Sequence, residues 1–108
     1  MKKRILVVED QDDSRKIMRD LLVSAGYEVL EARTGADAVQ AAETERPDLI
    51  LMDLQLPVID GLEATRRIKA NTGLRYTPIV AVTSYALSGD NEKAMAAGCD
   101  SYFSKPVS

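Results

Sequence analysis

The chain has no histidine and no tryptophan, and its single cysteine is Cys99. The lack of imidazole excludes a Ser-His triad, a histidine general base and histidine metal ligands. A lone cysteine excludes an internal disulfide, and Cys99 is expected to be a small, partly buried apolar residue rather than a reactive thiol. Any chemistry must therefore use carboxylates, hydroxyls, lysine or the backbone.

Long apolar runs and a strong charge of one sign are also lacking. No apolar stretch approaches the ~20 residues that span a bilayer, and the run before Glu9 is too short for a secretory signal, which predicts a cytoplasmic protein. The net charge of −3 does not favour a nucleic-acid-binding surface, and neither nucleic acid nor membrane is an expected partner. A chain of 108 residues predicts one domain, over 1–108, with a single modest core and no output domain.

Strand-like and helix-like segments alternate along the chain. Short apolar runs and β-branched residues predict strands at 5–8, 28–32, 49–52, 79–82 and 101–103. Helical spacing predicts helices at 14–25, from 34 to about 44, after Gly61 to about 70, and from 88 to about 98. Asp12 or Asp13 is expected to cap the first helix, and Thr34 the second. This alternation predicts a parallel sheet with helices on both faces.

Polar side chains follow the strands at their carboxyl ends. Glu9 and Asp10 follow the first strand, Asp53 the third, Thr83 the fourth and Lys105 the fifth. Because ligands of open α/β sheets bind beyond these ends, we expect the five to line one crevice. Carboxylates there could hold Mg²⁺, while a hydroxyl and an ammonium could hold phosphoryl oxygens. Taken singly, Asp10 could instead cap a helix, Thr83 could simply end a strand, and Lys105 could be a solvated charge.

Together these residues resemble the receiver domain of two-component response regulators, most closely the stand-alone single-domain receivers. The resemblance covers residues 5–107 and depends on five motifs: Val8-Glu9-Asp10, residues 51–57, Asp60-Gly61, residues 82–86 and Ser104-Lys105-Pro106. It implies an α/β fold, a doubly wound five-stranded parallel sheet in the flavodoxin-like order 2-1-3-4-5. The family's final helix is expected to be missing, which would expose apolar surface on the sheet and first helix and could favour a dimer.

The resemblance implies a phosphorylation-activated signalling switch rather than a conventional enzyme. Asp53 would accept a phosphoryl group from a histidine kinase or a histidine phosphotransfer protein. The protein would also catalyse hydrolysis of the product and would signal to an unidentified downstream protein by a conformational change. Mg²⁺ would be held directly by Asp10, Asp53 and the backbone carbonyl of Gln55, while Glu9 would act largely through water. Lys105 would pair with Asp53 and later with the phosphoryl group.

Two further residues are expected to transmit the signal. Thr83 would hydrogen-bond a phosphoryl oxygen, and Tyr102 would change rotamer as Thr83 moves. The family also implies a cis peptide between Lys105 and Pro106.

Other classes of protein remain alternatives. A haloacid-dehalogenase-like phosphatase would carry a second aspartate two residues after its nucleophile, where this chain has Gln55. A flavodoxin-like FMN binder would have a Ser-, Thr- and Gly-rich loop after the first strand, where residues 9–13 are mostly acidic. A P-loop enzyme is excluded because its glycine-lysine motif is lacking, whereas an interaction module that is never phosphorylated stays open.

Overall fold

The computed structural model describes residues 2–83 and 90–104 of the chain. The strands are β1 (Arg4–Val8), β2 (Glu28–Ala32), β3 (Leu49–Asp53), β4 (Ile79–Thr83) and β5 (Ser101–Ser104). The helices are α1 (Asp12–Ser24), α2 (Gly35–Glu45), α3 (Gly61–Ala70) and α4 (Asp90–Ala97), with a 3-10 turn at Thr72–Leu74. All strand pairs are parallel, in the order β2-β1-β3-β4-β5, which confirms the predicted sheet.

The core lies between the central strands and the stacked helices α2, α3 and α4. Side chains alternate across a strand, so Leu6 and Val8 of β1 join Ile50 and Met52 of β3 on one face of the sheet. These side chains are fully buried and pack in the same cluster as Ile68 of α3. Burial of each such side chain stabilises the fold by roughly 1.5–3 kcal/mol. The core therefore anchors the central strands and defines where their carboxyl ends lie relative to the helices.

The helix caps agree with the sequence in one case and differ in another. Thr34 Oγ1 accepts a hydrogen bond from the Asp37 backbone N–H at 3.0 Å, which confirms the cap of α2. The expectation that Asp12 or Asp13 caps α1 is wrong, because the capping position is Gln11 and both aspartates lie in the first helical turn. Their negative charges are favourable there because the amino end of a helix carries a partial positive charge.

One side of α1 is exposed. Ile17 is 57% and Leu21 63% exposed, although both have the helical spacing of core residues. This matches the predicted apolar surface on the first helix. The expected lack of a closing helix concerns the chain after Ser104, which lies outside the described residues. None of the helices in the described ranges is long and apolar enough to span a bilayer.

A side-chain clamp joins α3 to the amino ends of β4 and β5. Lys69 Nζ donates to the Thr77 carbonyl oxygen at 2.6 Å and to Asp100 Oδ2 at 3.1 Å. The same Asp100 oxygen accepts the Ile79 backbone N–H at 2.9 Å. Two strand entries are thus tied to one helix at the edge of the sheet opposite the acidic residues. Cys99 lies beside this clamp and is buried more fully than the partly buried position expected from the sequence.

Candidate functional site

Strand register brings three carboxylates together. Val8 of β1 pairs with Met52 of β3, so the residues that follow each of them, Glu9 and Asp53, lie side by side. Asp10 is the next residue of the loop that leaves β1. One carboxylate oxygen from each of Glu9, Asp10 and Asp53 lies within 4.8 Å of the other two. The predicted acidic cluster therefore forms at the carboxyl edge of the sheet.

This cluster suits a hard divalent cation. Glu9 is fully buried, Asp53 is 2% exposed and Asp10 is half-buried. Several like charges this close and this poorly solvated repel one another, and a bound cation offsets that repulsion. Mg²⁺ prefers carboxylate oxygens and retains some water ligands, which the half-buried side of the cluster allows. The donor set therefore fits Mg²⁺.

Gln55 connects the acidic cluster to β4. Its backbone N–H donates to Asp53 Oδ1 at 3.0 Å, and its side-chain Nε2 donates to Thr83 Oγ1 at 2.7 Å. Thr83 is the last residue of β4 and is fully buried. The structure thus brings Gln55 and Thr83 to the carboxylates, where the sequence predicted them.

Glycine at position 61 allows α3 to begin against the end of β3. The Gly61 N–H donates to the Leu54 carbonyl oxygen at 3.2 Å. A Cβ on residue 61 would lie 2.8 Å from Leu54 Cα and would overlap the Asp53 carbonyl oxygen. Because both obstacles are backbone, a larger residue cannot be accommodated by a side-chain rotation. The close approach of α3 to Asp53 depends on this glycine.

Arg15 lies next to the acidic cluster, and the sequence alone does not predict a role for it. Its guanidinium donates to the Glu9 carbonyl oxygen at 3.1 Å, to Asp12 Oδ1 at 2.6 Å and to Glu31 Oε1 at 3.1 Å. Its side chain is only 14% exposed. The hydrogen bond from Arg15, followed by attraction to Arg33, lowers the pKa of the Asp12 carboxyl group. The guanidinium of Arg15 therefore holds the backbone of the loop that carries Glu9 and Asp10.

The remaining predicted residues lie on β5 or outside the described residues. Tyr102 pairs with Ala81 in the sheet, is half-buried and packs against the core. The structure places it one strand beyond Thr83, and its switching role stays a prediction. Lys105 and the Lys105-Pro106 peptide lie outside the described residues.

Comparison with known proteins supports this geometry. The family described as response regulator receiver domain matches residues 5–108. The polar-differentiation response regulator DivK of Brucella anthropi is 45% identical over the whole chain and 88% of its own length. The DivK protein of Brucella ovis is 44% identical with the same coverage.

Two solved structures have the same fold. The receiver domain of the sensor histidine kinase PA1611 from Pseudomonas aeruginosa is 42% identical, with a TM-score of 0.92 over 100% of this chain and 88% of that one. Its crystal structure has a magnesium ion coordinated in the active site cleft. The chemotaxis protein CheY4 of Vibrio cholerae is 28% identical, with a TM-score of 0.93 over 100% of this chain and 90% of that one.

Proposed function

Because the chain belongs to the response regulator receiver domain family, we propose that it accepts a phosphoryl group on Asp53 and transmits that event by a change of conformation. The observation that carries the proposal is the cluster of Glu9, Asp10 and Asp53, whose oxygens lie within 4.8 Å of one another at the strand ends. A purely structural acidic cluster would be costly, because two of its three members are buried.

The carboxylates of Glu9, Asp10 and Asp53, with the backbone carbonyl of Gln55, would hold Mg²⁺. When bound, Mg²⁺ supplies positive charge that offsets the carboxylates and the incoming phosphoryl oxygens. The magnesium ion in the PA1611 receiver domain supports this choice of metal. Burial of Glu9 and Asp53 makes their uncompensated charges costly, which favours a bound cation.

The phosphoryl donor would be a phosphohistidine on a histidine kinase or a phosphotransfer protein. An Asp53 carboxylate oxygen attacks phosphorus in line with the leaving imidazole nitrogen. The oxygen–phosphorus bond forms as the phosphorus–nitrogen bond breaks, and the electron pair stays on the imidazole. The Gln55 N–H, 3.0 Å from Asp53 Oδ1, orients the carboxylate for this attack.

The product would be an acyl phosphate, which brings roughly two negative charges and new acceptor oxygens to the cluster. Thr83 would turn its hydroxyl toward one of these oxygens, and Lys105 would pair with another. Tyr102, one strand away, would then change rotamer and alter the surface of α4 and β5 for a downstream protein. Such a switch is a shift of population between two packings of the same chain.

The experiment that tests the proposal is intact-protein mass spectrometry after incubation with Mg²⁺ and acetyl phosphate. We expect one phosphate adduct on the wild-type protein and none on Asp53→Asn. Asp20→Asn is the matched control, since Asp20 is an exposed aspartate on α1, and it should retain the adduct. An adduct on Asp53→Asn, or a yield independent of Mg²⁺, would contradict the assignment.

The proposal also separates the protein from phosphatases. We expect no turnover of phosphomonoesters, because position 55 carries an amide where a general acid would be needed. Catalysis is confined to transfer onto Asp53 and hydrolysis of the product. A cytoplasmic location without a nucleic-acid or membrane partner belongs to the same proposal, and dimerisation stays a prediction.

A further inference from the structure

The hydroxyl that the proposed mechanism would move is already held by another residue of the site. Gln55 Nε2 donates to Thr83 Oγ1 at 2.7 Å, a short distance for a bond from a neutral amide. The backbone of the same residue is held to Asp53 Oδ1 at 3.0 Å. Gln55 therefore joins the carboxylate that would receive phosphorus to the hydroxyl that would respond.

We propose that the side chain of Gln55 is a latch that holds Thr83 in its resting position and opposes activation. This inference rests on the proposed function, in which Thr83 turns toward the phosphoryl group. The backbone N–H of Gln55 is hydrogen-bonded to Asp53 Oδ1 at 3.0 Å, which limits how far the Gln55 side chain can follow the Thr83 hydroxyl when it moves. A shift of Thr83 Oγ1 of about 1 Å away from the amide would end the hydrogen bond.

Burial makes the latch effective. Thr83 is fully buried, so water cannot readily replace the Gln55 amide as the hydrogen-bond donor to Oγ1, and loss of that bond opposes movement of the hydroxyl. A phosphoryl oxygen that accepts from the Thr83 hydroxyl can offset this loss, because a charge-assisted hydrogen bond is stronger than one between neutral groups. Gln55 itself is exposed, so its freed amide is solvated at little cost. The latch therefore sets a threshold that only a strong anionic acceptor overcomes.

The test is a double-mutant cycle read by the affinity for beryllofluoride, which mimics a phosphoryl group on aspartate. The four proteins are wild type, Gln55→Met, Thr83→Val and the double variant, all saturated with Mg²⁺. Methionine keeps the length of glutamine without its donor, and valine keeps the shape of threonine without its hydroxyl. Gln40→Met, at an exposed position on α2, is the matched control and should bind like wild type.

We expect Gln55→Met to bind beryllofluoride roughly 2- to 10-fold more tightly than wild type, the gain that corresponds to one hydrogen bond. The same substitution should have no effect in the Thr83→Val background, because no hydroxyl remains to be held. Any direct influence of position 55 on the metal site appears in both backgrounds and cancels in the cycle.

Three outcomes would overturn the latch: an equal gain in both backgrounds, no gain in either, or weaker binding by Gln55→Met when Thr83 is present. If Thr83→Val binds too weakly to titrate, the side-chain amide resonance of Gln55 decides. In the wild-type protein, the chemical shift of this amide should change on addition of beryllofluoride toward the value observed in Thr83→Val. An unchanged chemical shift would refute the proposal. Wild type that binds no beryllofluoride would instead refute the proposed function.

Discussion

Arg15 Nη1 donates to the backbone carbonyl oxygen of Glu9 at 3.1 Å, so a residue of α1 fixes the position of a buried acid in β1's outgoing loop. The same guanidinium contacts the carboxylates of Asp12 and Glu31. The Arg15 side chain therefore connects α1 to the loop that follows β1 and to β2. Metal sites commonly depend on such contacts behind the ligands themselves.

Arg15→Met should lower the free energy of unfolding and weaken Mg²⁺ binding. We expect a loss of about 1–3 kcal/mol in stability, because hydrogen bonds of a poorly exposed cation are removed, and a several-fold loss in Mg²⁺ affinity. Urea denaturation and calorimetric titration measure the two quantities. Arg19→Met is the control, since the Arg19 contacts at 3.4 and 3.5 Å are longer and more exposed. Tighter Mg²⁺ binding by Arg15→Met would mean that the charge of Arg15 matters more than its contacts.

Gly61→Ala should destabilise the protein although it adds only a methyl group. The new Cβ would meet Leu54 Cα and the Asp53 carbonyl oxygen, so α3 must move away from β3. We expect a loss of about 1–3 kcal/mol in the free energy of unfolding, together with weaker Mg²⁺ binding.

Gly73→Ala is the matched control for Gly61→Ala. Its Cβ would meet the far end of the Arg46 side chain, which can rotate aside. Urea denaturation should therefore show a much smaller change for Gly73→Ala, and equal losses for the two variants would contradict the importance of the α3–β3 approach.

Asp10→Asn should stabilise the metal-free protein and abolish most of the increase in thermal stability that Mg²⁺ causes. Removal of one negative charge from the cluster relieves repulsion with Glu9 and Asp53, by about 1 kcal/mol per pair with the screening of bulk water and by about 3–4 kcal/mol per pair at an effective dielectric constant of about 20. Thermal unfolding in EDTA should show a higher midpoint than wild type. With saturating Mg²⁺ the order should reverse, since ligand binding raises the stability of the form that binds it. Equal Mg²⁺-dependent shifts in both proteins would remove Asp10 from the metal site.

The thiol of Cys99 should react slowly in the folded protein. Burial raises the pKa of Cys99 above its ordinary value of 9.0, opposed by the Thr65 hydroxyl, whose oxygen lies 3.7 Å from Cys99 Sγ. The thiolate, which is the reactive form, is therefore scarce at neutral pH. Alkylation by iodoacetamide should be much slower in buffer than in urea, and equal rates would contradict the buried position.

The same pKa shift predicts how stability depends on pH. Because the folded state holds the Cys99 proton more tightly than the unfolded state, this contribution is full below the unfolded pKa and is lost as the pH rises through the folded pKa. The free energy of unfolding should fall above about pH 9, and Cys99→Ala should lack that part of the fall. Parallel pH profiles for the two proteins would contradict the assignment.

The strand ends and the acidic cluster could be predicted from the sequence because each follows from a local pattern. The apolar runs before Glu9 and Asp53 define strands by themselves, and parallel pairing then brings both acids to one edge of the sheet. The cap at Thr34 is equally local, since its hydroxyl bonds a backbone N–H three residues later.

Arg15 and Gly61 could not be assigned in the same way, because their importance depends on contacts distant in sequence. From the sequence, Arg15 is one of several cations expected on the surface of an amphipathic helix. Only the structure shows that Glu31 of β2 lies beside it. Gly61 reads as a turn residue until α3 is placed against the carbonyl of Asp53. The error at Asp12 has a related cause, since its side chain is engaged by Arg15 within α1 rather than by the helix N–H groups.

The Lys69 clamp has a consequence for any motion that begins at Thr83. It ties the amino ends of β4 and β5 to α3 through Thr77, Asp100 and Ile79. Under the proposed switch, a displacement of Thr83 at the carboxyl end of β4 would therefore leave the amino ends of both strands in place.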